Sequence, residues 1–258
     1  MMKRFAVAGC GRLGRIVAEA WKNGFLPGYE LCGVFSRTYA HAEALAGDMR
    51  CQACRSIDEL ICAGPDYVVE TASPAAMREM ALPLLSRGIS IVTLSVGALA
   101  DEDFYRQVAD TALASGARVY IASGATGGFD VLQTVALMGG AEATFFNEKG
   151  PDALKGTPVY DEALQSSGKE VFHGTARDAI SLFPTKVNVT VAASRASVEP
   201  DRMDVSIVST PGFSGDTQRV EIRNPQVHAT VDVYSATSEI AAWSAVRVLR
   251  NIQSPVVF

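Results

Sequence analysis

Three glycines at a fixed spacing are the first residues of this chain whose types suggest a chemistry. Gly9, Gly11 and Gly14 form a GxGxxG pattern after an apolar run and at the start of a helical pattern. The first glycine permits a tight turn, the second lets the backbone approach a pyrophosphate, and the third allows close helix–strand packing. Because a helix N-terminus also offers N–H donors, the pattern predicts a dinucleotide site that includes Arg12 and Leu13.

The residues at the end of the second predicted strand indicate which dinucleotide is bound. Ser36 and Arg37 stand about 20 residues beyond the glycines, where chains that prefer NAD usually carry an acid on the ribose hydroxyls. A carboxylate would repel a 2′-phosphate, whereas a hydroxyl can donate to it and a guanidinium can pair with it. The pair predicts a preference for NADP(H), with NAD also possible. The alternative is that Arg12 and Arg37 are solvated surface residues.

Three further polar segments follow predicted strands. They read ETASP from residue 70, SVGALAD from residue 95 and SGATGGFD from residue 123. Open α/β sheets bind ligands beyond the carboxyl ends of their strands. We therefore expect the first two segments to contact the cofactor through Thr71, Ala72, Ser73, Ser95, Val96 and Gly97.

Alternating strands and helices must position these segments. The predicted strands of the first half cover residues 5–8, 30–35, 66–70, 89–94 and 118–122. Helical patterns lie between them, and strict alternation implies right-handed crossovers in a parallel sheet. The sequence therefore predicts an α/β fold, with a Rossmann-type doubly wound parallel sheet over residues 1–122.

The second half of the chain has a different organisation. Its predicted helices cover residues 131–138, 175–182 and 187–197, and its predicted strands cover residues 142–146, 204–209, 219–222 and 227–234. A long polar stretch at 147–169 reads as a loop, and strands joined by turns indicate an antiparallel-leaning sheet. We expect a smaller α+β domain over residues 123–236, and a last helix within 237–258 that packs back on the first domain.

Composition excludes several classes of protein. The chain has 258 residues, 48% of them apolar and 20% charged, with a net charge of −5. This balance is ordinary for a globular enzyme and gives no electrostatic footprint for nucleic acid or an anionic membrane. No window approaches the roughly 18 apolar residues of a membrane span. The N-terminus reads as a strand rather than a signal peptide.

Cysteine usage indicates a reducing compartment. The five cysteines are an odd number and nothing marks the chain for secretion, so we expect free thiols and a cytoplasmic protein. Cys51 and Cys54 form a CxxC pair, which would suit redox chemistry or half of a zinc site. Because no second ligand pair with suitable spacing follows, we expect two half-buried structural residues and no metal.

Taken in order, the motifs of this chain resemble those of the L-aspartate dehydrogenase family. They read GCGRLG, VETASP, SVGALAD, SGATGGFD, FPTKVNVT and YSATSEIAAWSAV, so the resemblance covers essentially the whole chain. It implies a smaller α+β catalytic domain that carries the homodimer contact, and NAD(P)-dependent oxidative deamination of an amino acid. It also implies cofactor contacts at Ala125 and Asn188.

The chain departs from the family at the position of the catalytic residue. The family has a histidine in an NxHxIxV-like segment, whereas this chain reads DTQRVEI there, with Gln218 in the histidine's place. Glutamine can hydrogen-bond a carbonyl or carboxylate, but it exchanges no proton near neutral pH. Lys186 replaces the asparagine of the family's FPxN motif. Residues 234–236 stand where the family has Asn-Pro-Lys before the last helix.

Few residues are available to move protons if Gln218 cannot. The chain has three histidines. His173 lies near a family segment that is close to the site, whereas His41 and His228 read as surface or structural residues. Lys186 could exchange a proton, bind a substrate carboxylate, or be a solvated lysine at a helix start. Gln218, Lys186 and His173 are therefore the catalytic candidates.

The leading hypothesis is an NADP(H)-dependent oxidoreductase that transfers hydride between the nicotinamide and an aspartate-like amino acid or its imino acid. Two alternatives stay open. One is a dehydrogenase or reductase of a different, non-amino carbonyl substrate. The other is a non-catalytic NADP(H)-binding protein, which would fit the loss of the histidine. Fold alone does not decide among the three, because Rossmann domains host many reactions.

Overall fold

The computed structural model describes residues 2–183 and 187–258. The chain splits into two compact units. One is Met1–Ala122 together with Ala241–Phe258, and the other is Ser123–Ile240. No helix in the described ranges combines the length and the apolar character that crossing a membrane requires.

The first unit is built on a six-stranded parallel sheet. Its strands are β1 (Lys3–Ala8), β2 (Tyr29–Phe35), β3 (Gln52–Cys54), β4 (Tyr67–Glu70), β5 (Ser90–Thr93) and β6 (Val119–Ile121). Their order in space is β3-β2-β1-β4-β5-β6. Strands β2 and β3 therefore lie on one side of β1, and β4, β5 and β6 lie on the other. Doubly wound sheets bind ligands at this reversal, which here lies between β1 and β4. The predicted Rossmann-type sheet is confirmed.

Five helices connect these strands. They are α1 (Arg12–Lys22), α2 (Tyr39–Met49), α3 (Ile57–Cys62), α4 (Pro74–Leu85) and α5 (Glu102–Ser115). Side-chain N-caps mark the starts of three of them, α3, α4 and α5. The Ser73 hydroxyl accepts a bond from the Ala76 N–H at the start of α4, and the Asp101 carboxylate accepts one from the Phe104 N–H at the start of α5. Both are N-caps of the residue types that helices prefer.

The second unit contains a five-stranded mixed sheet with three helices. The helices are α6 (Phe129–Leu137), α7 (Ala176–Leu182) and α8 (Asn188–Arg195). The strands are β7 (Glu142–Lys149), β8 (Lys169–Thr175), β9 (Asp204–Ser209), β10 (Asp216–Arg223) and β11 (His228–Ser235), in the order β11-β10-β7-β9-β8. Strands β7 and β9 are parallel, and the other neighbours are antiparallel.

The two faces of this second sheet differ in burial. On β7 and β10, alternate residues are buried and belong to an apolar core that includes Phe145, Val220, Leu132 and Phe183. The intervening residues are half-buried or exposed. We call the buried side the inner face and the other side the outer face.

The last helix, α9 (Glu239–Gln253), packs on the core of the first unit. The Tyr29 hydroxyl donates to the Leu249 carbonyl at 2.8 Å, and the Gln253 side chain donates to the Gly28 carbonyl at 2.8 Å. Ala242, Ala245 and Leu249 are fully buried. The chain therefore returns from the second unit to complete the first.

Two strands escaped the sequence analysis, and one sheet is less antiparallel than expected. Strand β3 has only three residues, too few for a pattern. Strand β8 is an edge strand that begins with charged residues, as edge strands often do. The parallel β7–β9 pair follows from the long connection that contains β8, α7 and α8, because parallel neighbours require such a crossover. Residues 147–149, predicted as loop, complete β7.

Candidate functional site

The glycine turn between β1 and α1 has one position that the fold leaves open. Gly9 has φ +105°, and a Cβ there would lie 2.7 Å from the Ala72 nitrogen. A Cβ on Gly14 would lie 1.9 Å from the Gly9 carbonyl oxygen. In contrast, nothing lies within 4 Å of a Cβ built on Gly11. The chain's own packing requires glycine at the first and third positions, while the second faces space that a pyrophosphate fits.

The first turn of α1 is complementary to an anion. Its N-cap is Gly11, which has no side chain that could bond the N–H groups of the first turn. The first turn also contains no acidic residue that would neutralise the positive end of the helix dipole. A dinucleotide cofactor therefore fits these residues, which would hold it through its phosphates.

The end of β2 lies beside this turn. The Gly9 N–H donates to the Phe35 carbonyl at 2.8 Å, which joins the two segments directly. Ser36 is half-buried and Arg37 is exposed. Within the described part of the chain, no carboxylate pairs with the Arg37 guanidinium. The Ser36 hydroxyl and the Arg37 guanidinium, which the sequence predicts to bind a 2′-phosphate, thus lie at the same edge of the sheet as the glycine turn.

A buried carboxylate joins the segments that follow β4 and β5. Glu70 is fully buried and accepts bonds from the N–H groups of Ala72 at 2.8 Å and Ser73 at 3.1 Å. It also accepts from the hydroxyls of Thr93 at 2.7 Å and Ser95 at 2.9 Å. Burial raises the pKa of Glu70, and these donated bonds oppose that rise. The structure therefore brings Ala72, Ser73 and Ser95 together.

The remaining residues of these two segments occupy neighbouring positions. The Thr71 hydroxyl donates to the Gly9 carbonyl at 2.8 Å and so fastens the segment after β4 to the glycine turn. Val96 and Gly97 lie in a buried 3₁₀ turn, Val96–Ala100, that precedes α5. All the cofactor-contact candidates of the first unit therefore follow β1, β2, β4 or β5 at one edge of its sheet.

In the second unit, the segment before α6 lies against the start of α8. Gly124 has φ +64°, and a Cβ there would lie 3.1 Å from the Cγ2 atom of Val189. Val189 follows Asn188 in α8, and Ala125 follows Gly124 and is buried. The structure thus brings Ala125 and Asn188, the two positions implied by the family resemblance, into one neighbourhood.

The inner face of the second sheet changes from apolar to polar along its strands. On β7 and β10, Phe145 lies opposite Val220, but the next inward pair is Asn147 with Gln218. The pair after that is Lys149 with Asp216. The Lys149 ammonium lies 3.6 Å from an Asp216 carboxylate oxygen, and its side chain is only 9% exposed. We call Asn147, Lys149, Asp216 and Gln218 the polar cluster.

Asp216 organises the polar cluster. Its Oδ2 atom accepts a bond from Gln218 Nε2 at 2.7 Å, and its Oδ1 atom accepts one from Asn147 Nδ2 at 2.5 Å. Because an ionised carboxylate can only accept, Gln218 must turn its nitrogen toward Asp216. Gln218 Oε1 is then buried without a donor among the described residues. The cluster therefore offers a buried acceptor to an N–H donor, together with one cation and one anion.

Sequence reasoning found Gln218 but missed Lys149 and Asp216. The signal was present in β7, whose alternate residues, from Ala143 to Lys149, share one face. Polar residues at two buried positions of an otherwise apolar face are unusual, and such residues are candidates for a functional site. Assigning residues 147–149 to a loop hid this alternation.

Comparisons with known proteins bear on both units. Residues 130–252 match the family model for the C-terminal part of aspartate dehydrogenase, and residues 9–122 match that for the NAD-binding domain of homoserine dehydrogenase. The L-aspartate dehydrogenase of Methanocella arvoryzae is 30% identical over 99% of this chain and 98% of its own. That of Methanospirillum hungatei is 32% identical over 99% of both chains. This chain belongs to the L-aspartate dehydrogenase family.

Solved structures agree with this membership. The aspartate dehydrogenase of Thermotoga maritima has a TM-score of 0.78 and 25% identity, covering 100% of this chain and 99% of its own. A hyperthermophilic archaeal homoserine dehydrogenase, solved with NADPH, has a TM-score of 0.65 at 15% identity, which is a likeness of fold. This member of the aspartate dehydrogenase family is an NAD(P)-dependent oxidoreductase, and its resemblance to the family is confirmed.

The histidines of this aspartate dehydrogenase-like protein do not join the polar cluster. His173 lies opposite Ser206, on the outer face, where its ring nitrogens lie 3.4 Å from Glu170 and 3.3 Å from Asp204. Gln218 lies on the inner face, so the structure does not bring His173 to it. His228 is also on the outer face, 3.8 Å from Glu221.

The other candidates stand as follows. His41 is exposed on α2 in the first unit. Lys186, predicted as a catalytic residue, lies outside the described residues. In the described ranges, no group of three or more His, Cys, Asp or Glu residues could hold a metal ion. Within the described residues of the second unit, the polar cluster thus surrounds Gln218, the position at which the motif resemblance implies the family's histidine.

Proposed function

We propose that this protein transfers hydride between NADP(H) and an amino acid or imino acid of the aspartate/iminosuccinate type. The observation that carries the proposal is the buried Oε1 atom of Gln218, which has no donor among the described residues and lies in a cluster with a lysine and an aspartate. An α-amino acid presents an N–H donor, a positive ammonium and a negative carboxylate. Each of these groups has a complement in the polar cluster.

The cofactor would be held by the residues of the strand ends. A bound nicotinamide cofactor supplies or takes up the hydride. Its pyrophosphate would lie on the glycine turn and on the N–H groups of α1, and Ser36 and Arg37 would bind a 2′-phosphate. Further contacts would come from the loops joined by Glu70. The nicotinamide end would contact Ala125 and Asn188.

The substrate would be held by the polar cluster. Gln218 Oε1 would accept a bond from the substrate nitrogen, and the Lys149 ammonium would attract a substrate carboxylate. Gln218 itself exchanges no proton near neutral pH, so it would bind and orient rather than act as acid or base. The protons lost from the nitrogen and from the attacking water would pass to the Lys149–Asp216 pair, to Lys186 or to solvent. His173, on the outer face, has no part in this proposal.

The proposal is tested by following the consumption of reduced cofactor with oxaloacetate, with and without ammonium. NADPH should be oxidised only when ammonium is present, and NADH should be used less efficiently. A Gly11→Ala variant is the matched control, because it should lose turnover together with cofactor binding while staying folded. Tight NADPH binding without turnover on oxaloacetate and ammonium would contradict an aspartate-type substrate.

One observation supports a second candidate, a reductase of a carbonyl compound that contains no amine. The family's proton-exchanging histidine is replaced by a glutamine whose N–H group is engaged by Asp216. A substrate hydroxyl could donate to Gln218 Oε1 as well as an amine could. Turnover of aldehydes or keto acids that is independent of ammonium would favour this candidate over the amine chemistry. Cofactor binding without turnover on either class would favour a non-catalytic NADP(H)-binding protein.

We further propose that the protein is a cytoplasmic homodimer that pairs through the outer face of the second sheet. On this face Tyr234 is 58% exposed, and ion pairs join Arg219 to Asp232 and, toward the other end of the strands, Arg223 to Glu142. Its five free cysteines suit a reducing compartment. Light scattering after gel filtration should give a dimer mass for the wild type and a monomer mass for Tyr234→Glu. A monomeric wild type would contradict the dimer.

A further inference from the structure

We infer that Arg55, held on the ring of Tyr39, forms part of the 2′-phosphate site and helps to determine cofactor choice. The inference rests on the proposed preference for NADP(H). It adds a residue that lies 18 positions beyond Arg37. This residue follows β3, a strand of three residues that is too short to be recognised from the sequence. The reasons are the position of Arg55, the way it is held, and the charge around it.

Strand order places Arg55 beside Ser36. Strands β2 and β3 are parallel neighbours, and their last paired residues are Phe35 and Cys54. The next residues, Ser36 and Arg55, therefore leave the sheet side by side, with strand axes about 4.8 Å apart. Both lie at the carboxyl edge that also carries the glycine turn.

Two contacts hold Arg55 in place. Its guanidinium carbon lies 3.8 Å from the centroid of the Tyr39 ring, which belongs to the first residue of α2. Its backbone N–H donates to the Glu59 carboxylate at 2.8 Å, so a residue of the first turn of α3 anchors its backbone. A guanidinium that lies flat on an aromatic ring keeps the N–H groups of its edge free for a phosphate. Arg55 is therefore pre-organised for an anion.

The charged groups at this edge include two guanidinium groups and the Glu59 carboxylate, which accepts from a backbone N–H group. Within the described residues, no carboxylate pairs with the guanidinium of Arg55 or of Arg37. Elsewhere in the same unit, Arg15 pairs with Asp48 at 2.8 Å and Arg4 lies 3.9 Å from Glu30. Two unneutralised guanidinium groups on adjacent loops repel each other, and a doubly charged phosphate between the loops would remove that repulsion. A 2′-phosphate is such a group, whereas a 2′-hydroxyl is not.

Binding of adenosine 2′,5′-bisphosphate and of adenosine 5′-monophosphate, measured by calorimetry, tests the inference without turnover. Arg55→Ala should weaken the bisphosphate by about tenfold or more and the monophosphate by less than about twofold. Tyr39→Leu, which removes the platform, should weaken the bisphosphate in the same direction, and Tyr39→Phe should not. Arg87→Ala is the matched control, since Arg87 is an exposed arginine between α4 and β5, at the amino edge of the sheet.

Each of the other possible binding results would contradict a particular part of the inference. If Arg37→Ala lowers the preference for the bisphosphate and Arg55→Ala does not, the role of Arg55 is wrong and the NADP(H) preference stands. If Arg55→Ala weakens both ligands equally, Arg55 supports the adenosine and does not recognise the 2′-phosphate. If the wild type binds both ligands equally, the NADP(H) preference fails and the inference fails with it. Melting temperatures equal to the wild type show that each variant is folded.

Discussion

Gln218 donates its side-chain N–H to Asp216 across 2.7 Å, and its own carbonyl oxygen is buried without a donor in the part of the chain that the structure describes. Leaving such a group unpaired costs about 1–3 kcal/mol, so it persists where a ligand or water completes it. The motif resemblance implies that the family's catalytic histidine stands at this position. The relationship therefore favours the proposed substrate-binding role for the glutamine, which does not depend on proton exchange.

The first prediction is that Gln218→His increases amine turnover. An introduced imidazole would keep a donor for Asp216 and regain a group that exchanges protons near neutral pH. We expect kcat for ammonium-dependent reduction to rise by about tenfold or more, with a new ionisation in its pH profile. Gln218→Asn is the control, because its shorter amide cannot reach Asp216. A fall in kcat with an unchanged melting temperature would show that the glutamine serves a different reaction.

The second prediction separates two glycines of the cofactor turn. Gly11→Ala should leave the melting temperature unchanged, because nothing lies within 4 Å of its Cβ position, and should weaken NADPH binding about tenfold or more. Gly14→Ala should destabilise the fold itself, because its Cβ would lie 1.9 Å from the Gly9 oxygen. Thermal unfolding and NADPH titration of both variants give the two readouts. Unchanged NADPH affinity in Gly11→Ala would mean that the pyrophosphate lies elsewhere.

The third prediction concerns the buried carboxylate of Glu70. Glu70→Ala would leave the N–H groups of Ala72 and Ser73 without their acceptor and should lower the free energy of unfolding by about 2–4 kcal/mol. Denaturant unfolding measures the loss. Asp101→Ala, which removes an exposed helix cap, is a milder control at about 1 kcal/mol. Equal losses in the two variants would show that Glu70 does not join the two loops.

Glu70 also predicts a dependence of stability on pH. Burial raises its folded-state pKa above the ordinary value of 4.5, so the folded protein binds this proton more tightly than the unfolded chain does. The contribution to stability is fully present below the unfolded pKa and is lost as pH rises through the folded pKa. The stability of the wild type relative to Glu70→Gln should therefore fall as pH rises from 4 toward neutrality. If the relative stability of the wild type rose with pH instead, the hydrogen bonds donated to Glu70 would lower its folded-state pKa by more than burial raises it.

The last prediction concerns the thiols. Burial raises the pKa of Cys10 to about 12, and those of Cys51 and Cys54 to about 11, whereas Cys62 is exposed. Because the thiolate is the reactive form, Cys62 should be alkylated by iodoacetamide much faster than the others at neutral pH. Mass spectrometry should find a single rapidly modified site, which Cys62→Ser removes. Rapid labelling of the CxxC pair would instead indicate a redox role for it.

Several properties followed from the sequence by itself. The alternation of strands and helices, the GxGxxG spacing and the Ser36–Arg37 pair predicted a Rossmann-type sheet and a dinucleotide site. The motifs resembled one family over the whole chain. All of these signals are local: each depends on residues within about one strand–turn–helix unit, where the backbone conformation is set by near neighbours.

Tertiary structure alone decided which distant residues meet. Arg55 stands beside Ser36 because β3 pairs with β2, and three residues of β3 leave no periodic trace in the sequence. Lys149 meets Asp216 because of the register between β7 and β10, strands that lie far apart in the chain. A shift of one residue in the register of a strand would move each of its side chains to the opposite face of the sheet. The face matters, since His173 on the outer face does not reach Gln218 on the inner face. Strand order and register arise from long-range packing, so they become visible only in the folded chain.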